Sequence, residues 1–249
     1  MDASMLRRFV DEAGFIFLGK ILGDRTLETP GLPPEPGEPL AVEIVRVLHS
    51  TDALRGLAGT AVTVLTRHAP EHRQRHEVIF FTTCISIGAR LILREIGHVE
   101  ASAESSIDVG AALHEAAERP LRERIASAEL VVTGEVMESR PIDNPLPRKS
   151  EHDPLWWIAR LAVKSALKGR KPRGEVEVLF ANSDDFVWYK SPKLHREKSG
   201  IFILHRLDAV GTPREAPRTA YQATDPLDFL PSERLPEVER AIGDDKGDR

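Results

Sequence analysis

The feature that most limits what this chain can fold into is that much of it occurs twice. Gly88-Ala-Arg-Leu-Ile-Leu-Arg94 returns as Gly200-Ile-Phe-Ile-Leu-His-Arg206, an apolar strand opened by glycine and closed by arginine, at an offset of 112 residues from position 88 to position 200. Residues 6–21 align with residues 121–136 at an offset of 115, and residues 59–65 align with residues 174–180 at the same shift. A unit written twice folds twice in the same way, so the 249 residues divide into two domains of roughly 100 residues each.

In the first copy, apolar runs and period-two alternation predict strands over residues 14–22, 40–47, 60–66, 78–81 and 90–96. A short helix over residues 4–12 precedes them, with Met5, Leu6, Phe9 and Val10 on one face. After the first strand, Pro30, Pro33, Pro34, Pro36 and Pro39 exclude both helix and inner strand and require a long exposed loop. The second copy repeats this order, with strands over residues 129–137, 156–163, 175–180, 186–189 and 201–207 and a loop carrying Pro141, Pro145, Pro147 and Pro154. Five strands with such a loop close into a small barrel. The expected fold is therefore mainly β: two tandem five-stranded barrels of the OB (oligonucleotide/oligosaccharide-binding) kind, over residues 1–100 and 129–207. A helical linker over residues 101–128, capped by Ser106 or Asp108 and interrupted or restarted at Pro120, joins them. Residues 208–249 lie outside both copies, and Ser232 caps a closing helix over residues 233–242.

The first copy resembles the netrin-like family, to which the tissue inhibitors of metalloproteinases belong. The likeness rests on Phe15-Ile-Phe-Leu-Gly-Lys-Ile21, Val42-Glu-Ile-Val-Arg-Val-Leu48 and Cys84-Ile-Ser-Ile-Gly-Ala-Arg-Leu-Ile-Leu93. The second copy keeps the frame with Thr133-Gly-Glu-Val136, residues 159–169 and Gly200-Ile-Phe-Ile-Leu204. The resemblance covers most of residues 10–100 and 128–207 and implies an OB barrel in each. Animal inhibitors of the family chelate a protease metal through an amino-terminal cysteine and are stapled by disulfides; this chain begins Met1-Asp2 and has Cys84 alone. The resemblance thus implies the fold and not the inhibitor chemistry.

The net charge of −5 lacks the basic balance of a dedicated nucleic-acid binder, so any such activity needs a local patch. No apolar run reaches the roughly 18 residues of a membrane span, and the first turn mixes Asp2, Arg7, Arg8 and Asp11, unlike a signal peptide. The expectation is a soluble, cytoplasmic protein with no membrane partner. One cysteine forms no internal disulfide and builds no thiolate metal site by itself.

His68, His72 and His76 are spaced as helical metal ligands would be, but Pro70 and the flanking strands place them on a solvated hairpin loop. Cys84, within apolar strand sequence and without an evident base, is expected to be a buried packing residue. Asp184 and Asp185 are adjacent and point to a turn rather than an acid/base pair. No phosphate-binding loop, nucleophile elbow or zinc-protease helix is present. No catalytic residue, cofactor or metal is therefore expected.

Two surfaces remain as candidates. Arg160, Lys164, Lys168, Arg170, Lys171 and Arg173 carry a local charge of +6 with no acidic residue between them, and Phe186, Trp188 and Tyr189 follow on an expected strand of the same barrel. Cations interleaved with aromatics suit single-stranded nucleic acid, although a solvated basic face and core tryptophans explain the pattern more simply. The tail offers Phe229, Leu230, Leu235 and Val238, too apolar a set to stand in water, for docking on the chain's own barrels or on a partner. The expected function is a non-catalytic protein-binding module or accessory subunit, with another protein as partner; the alternative is single-stranded nucleic-acid binding through the second barrel.

Overall fold

The computed structural model describes residues 2–22, 37–68, 77–87, 90–142, 152–207, 216–217 and 219–247; the side chains of 86, 87, 90 and 244–247 are outside the description. The first compact unit spans Met1–Glu118 and the second Arg119–Arg249.

In the first unit, α1 (Ala3–Glu12) starts where the Asp2 carboxylate accepts from the Ser4 amide, and it buries Leu6, Phe9 and Val10. Strands β1 (Phe15–Ile21), β2 (Glu38–His49), β3 (Ala61–Thr66), β4 (Glu77–Ile87) and β5 (Arg90–Glu100) follow. They close in the order β1-β2-β3-β5-β4, with β3 and β5 parallel and the other pairs antiparallel. The near-continuous apolar runs have a simple cause: both faces of β1 and β4 are covered. Phe15, Phe17, Val78 and Phe80 point into the barrel, while Ile16, Ile79 and Phe81 meet α1 and the first half of α2 (Ala103–Ser127). Each fully buried side chain of this size contributes about 1.5–3 kcal/mol.

The second unit repeats this plan in β6 (Leu130–Pro141), β7 (Trp156–Lys168), β8 (Val176–Ala181) and β9 (Ser199–Arg206). Its fifth position is filled by β10 (Tyr221–Gln222), parallel to β8 and antiparallel to β9, so the barrel closes as β6-β7-β8-β10-β9. A further short strand, β11 (Phe229–Leu230), pairs with the outer part of β9. The outer face again lies under helices: Val131, Ile201 and Ile203 meet Leu121 and Ile125 of α2 and Val238 and Ile242 of α3 (Leu235–Gly247).

The duplication extends to the backbone irregularities. Register shifts fall at Ile16/Phe17 and Leu18/Gly19 in β1, and at Val131/Val132 and Thr133/Gly134 in β6, each pair 115 residues apart. Gly19 and Gly134 occupy the second bulge of each strand. A Cβ at Gly19 would meet Val42 at 2.5 Å, and one at Gly134 would meet the Ala162 carbonyl at 2.7 Å. Such bulged glycines let neighbouring strands approach and coil into a narrow barrel.

Several expectations are corrected. Residues 90–94 belong to β5, whereas Gly200 and its followers form β9, the counterpart of β4. The matching positions are Phe80 with Phe202, an offset of 122, and Leu93 with Tyr221, an offset of 128. Residues 186–189 are not a strand but part of a turn, and the tail supplies the fifth strand in their place. The tail therefore does not stand outside both barrels: Tyr221, Ala223 and Phe229 pack with the second barrel's core. Helix α2 runs unbroken through Pro120. Its start is capped by Ser102 and Ser105, whose hydroxyls each accept from the other's amide at 3.0 and 2.9 Å, rather than by Ser106 or Asp108. Most of the first proline-rich loop (residues 23–36) and residues 143–151 of the second fall outside the described residues.

Candidate interaction surface of the second barrel

The loop between β3 and β4 spans residues 67–76, and its counterpart between β8 and β9 spans residues 182–198, seven residues longer. The second copy has gained chain here as well as between β9 and β10, and most of the 182–198 loop is bound tightly. The Asp185 carbonyl accepts from the Trp188 and Tyr189 amides, both at 2.8 Å, closing one helical turn. The Asp185 carboxylate accepts from the Val187 amide at 2.9 Å and meets His152 Nδ1 at 2.8 Å, and these contacts hold it below the ordinary aspartate pKa. Trp188 Nε1 donates to the His152 carbonyl at 2.8 Å, and the Trp188 ring meets Trp156 edge-on. Beneath the turn, the Lys193 ammonium donates to the carbonyls of Ala181, Ser183 and Trp188 at 2.7, 2.8 and 2.9 Å. Burial there lowers the Lys193 pKa.

Against this anchored backbone three apolar side chains face water: Phe186 is 69% exposed, Val187 50% and Tyr189 58%, with Leu155 at 44% nearby in sequence to His152. The His152 ring stands edge-on to Phe186, and the Lys190 ammonium lies 5.6 Å from the Tyr189 ring centre. Taking full burial of an aromatic as 150–250 Å², these side chains expose roughly 400 Å² of apolar surface, the size of the largest patch on an ordinary monomer. Barrel closure does not use them: none of the strand pairings that close the second barrel contains Phe186, Val187 or Tyr189.

The basic and aromatic residues do not share one face. Trp156 and Trp157 open β7 opposite Ala181 and Phe180, and the turn bearing Trp188 and Tyr189 follows β8 at that end. Lys168 closes β7, and Arg170, Lys171 and Arg173 lie in the turn beyond it. At about 3.3 Å per residue, the two ends of this strand are roughly 40 Å apart along its path. Most of the local charge is also answered. Arg160 pairs with Glu138 at 2.8 Å and Glu175 at 3.7 Å, and Lys164 pairs with Glu135 at 3.0 Å. Lys168 caps α2 by donating to the carbonyls of Ile125 and Ala126, both at 2.7 Å, and Lys171 donates to the Lys164 carbonyl at 2.8 Å.

The tail residues are occupied within the chain. Leu230 and Val238 are buried, Leu235 packs beside them, and Phe229 sits between the Phe202 ring and the Lys198 ammonium, 4.3 Å from its centre. Cys84 is exposed, contrary to expectation. β1 ends its pairing with β4 at Thr82, so Cys84 lies on an arm joined only to β5, beyond the barrel interior. His68 is exposed, and His72 and His76 lie outside the described residues. Among the described residues no group of three or more His, Cys, Asp or Glu is placed to hold a metal. A cavity of about 320 Å³ in the first unit is lined by Leu6, Val109, Glu100, Asp108 and the capping Ser102 and Ser105. No described helix is long and apolar enough to cross a membrane.

Phe186-Val-Trp-Tyr189 has the composition of a strand, and the pairing of β10 into the fifth position leaves it free to form the turn. No protein-family model matches the chain, and no curated protein matches it.

Proposed function

We propose that this protein is a non-catalytic binding module or accessory subunit, built on tandem OB-like barrels, that recognises another protein through the turn at Phe186, Val187 and Tyr189. The observation carrying this reading is the pairing of exposure with anchorage: three large apolar side chains are held in water by a turn fixed through Asp185, Trp188 and Lys193. An ordered surface loses little conformational freedom on binding, which is what a docking site requires. Aromatic anchors of this kind dominate protein interfaces. The relationship to the netrin-like family belongs to this proposal, as does a cytoplasmic location, for which the single cysteine is the support. No cofactor and no membrane enter it.

The test places a photo-activated cross-linking amino acid at Val187 in the full chain expressed in its native host. A discrete cross-linked protein, lost when Phe186→Ser and Tyr189→Ser are introduced, is the expected result. Cross-linking that is absent, or unchanged in the double variant, refutes the reading.

A further inference from the structure

The apolar turn has a charge at each end. Asp184 precedes it and Lys190 closes it, both exposed, with Phe186, Val187 and Tyr189 between them. An acid, an apolar centre and a base in that order are complementary to the same series run in the opposite direction, which is the requirement for a two-fold contact between identical surfaces. Resting on the reading of this turn as a protein contact, we infer that its partner is a second copy of this chain. Two turns pack antiparallel about a two-fold axis, Phe186 and Tyr189 of each against those of the other, and Asp184 of each meets Lys190 of its mate. The roughly 400 Å² of apolar surface per copy is about half of what one side of a standard stable interface buries, so the dimer is weak and reversible, not obligate.

Sedimentation equilibrium of the full chain, from about 1 to about 500 µM to span a weak interface of this size, tests the inference. The expected result is a mass rising from 27.7 kDa toward twice that value. Asp184→Lys alone and Lys190→Asp alone each bring like charges together across the axis and weaken association by roughly tenfold or more. An equimolar mixture of the two variants restores both pairs and associates again as a heterodimer. Lys190→Asp leaves the carbonyl ligands of Lys193 untouched, and the thermal midpoint of each variant confirms that it is folded. A wild type that stays monomeric throughout, single variants that associate as wild type does, or a mixture that fails to associate overturns the inference. If the wild type is monomeric while the Val187 cross-link to another protein is still lost in the Phe186→Ser/Tyr189→Ser variant, the docking role stands and only the identity of the partner falls.

Discussion

Arg124 holds Asp228 through two parallel hydrogen bonds, Nε to Oδ1 at 2.6 Å and Nη2 to Oδ2 at 2.8 Å, across 104 residues of sequence. Asp228 is fully buried and also accepts from the amides of Thr224 and Asp225 at 2.8 and 2.9 Å, while the buried Nε2 of His205 stands 3.5 Å from Oδ1. One carboxylate therefore joins the linker helix, β9 and the tail. Removing one partner of a buried ion pair strands the other, so Asp228→Ala should cost about 3–5 kcal/mol of stability, measured by denaturant unfolding. Truncation after Thr224 removes Asp228 together with Leu230, Val238 and Ile242 and should lower the thermal midpoint further.

The same carboxylate makes the second unit acid-sensitive. Burial alone would raise the Asp228 pKa, but His205 and Arg124 outweigh it and hold the group below the ordinary aspartate value. A depressed folded pKa gives stability that is fully present above the unfolded value of about 3.9 and is lost as pH falls through the folded one. Wild-type stability should therefore fall below about pH 4, and Asp228→Asn should flatten that limb while lowering the plateau above it.

Gly200 is a position where the repeat misleads. Its counterpart is Val78, yet a Cβ at Gly200 would run into the Leu230 carbonyl and the Phe229 ring of β11. Gly200→Val, which makes the copies more alike, should displace β11 and destabilise the second unit by about 1–3 kcal/mol, as overpacking does elsewhere. The reverse change, Val78→Gly, should cost the first unit a comparable amount through a lost core side chain.

Cys84 should react with thiol reagents in the native protein, because it lies exposed on the β4–β5 arm. Partial burial raises its pKa, so labelling at neutral pH should be slower than for an unstructured cysteine peptide and should accelerate as pH rises past the ordinary thiol value. Cys84→Ser should change stability by no more than about 0.5 kcal/mol.

The division between cations and aromatics makes a prediction about oligonucleotides. Single-strand binding needs phosphate contacts and base stacking along one path, and Arg170, Lys171 and Arg173 are separated from Trp188 and Tyr189 by the length of β7. At about 150 mM salt, where a few isolated phosphate contacts are largely screened, a labelled oligonucleotide should show no saturable anisotropy change. A saturable change abolished by Lys168→Glu, Arg170→Glu and Lys171→Glu would restore nucleic acid as the ligand.

The two-barrel plan was legible in the order of residues because the signals that carry it are local. Apolar runs such as Phe15-Ile-Phe and the 115-residue offset that carries β1 and its two bulges onto β6 survive without knowledge of neighbours. Pairing partners are not local. Whether 88–94 matches β9, whether 186–189 or 221–222 fills the fifth strand, and whether Cys84 lies inside the barrel all depend on which strand stands alongside. The charges that answer the basic run are hidden for the same reason: Glu135, Glu138 and Glu175, which pair with Lys164 and Arg160, come from β6 and the turn before β8 and are invisible within residues 160–173. Local chemistry determined what each segment can be. Only tertiary structure decided which of two β-forming segments closes the barrel and which is left in water at Phe186, because the backbone hydrogen bonds of one strand position can be taken up once.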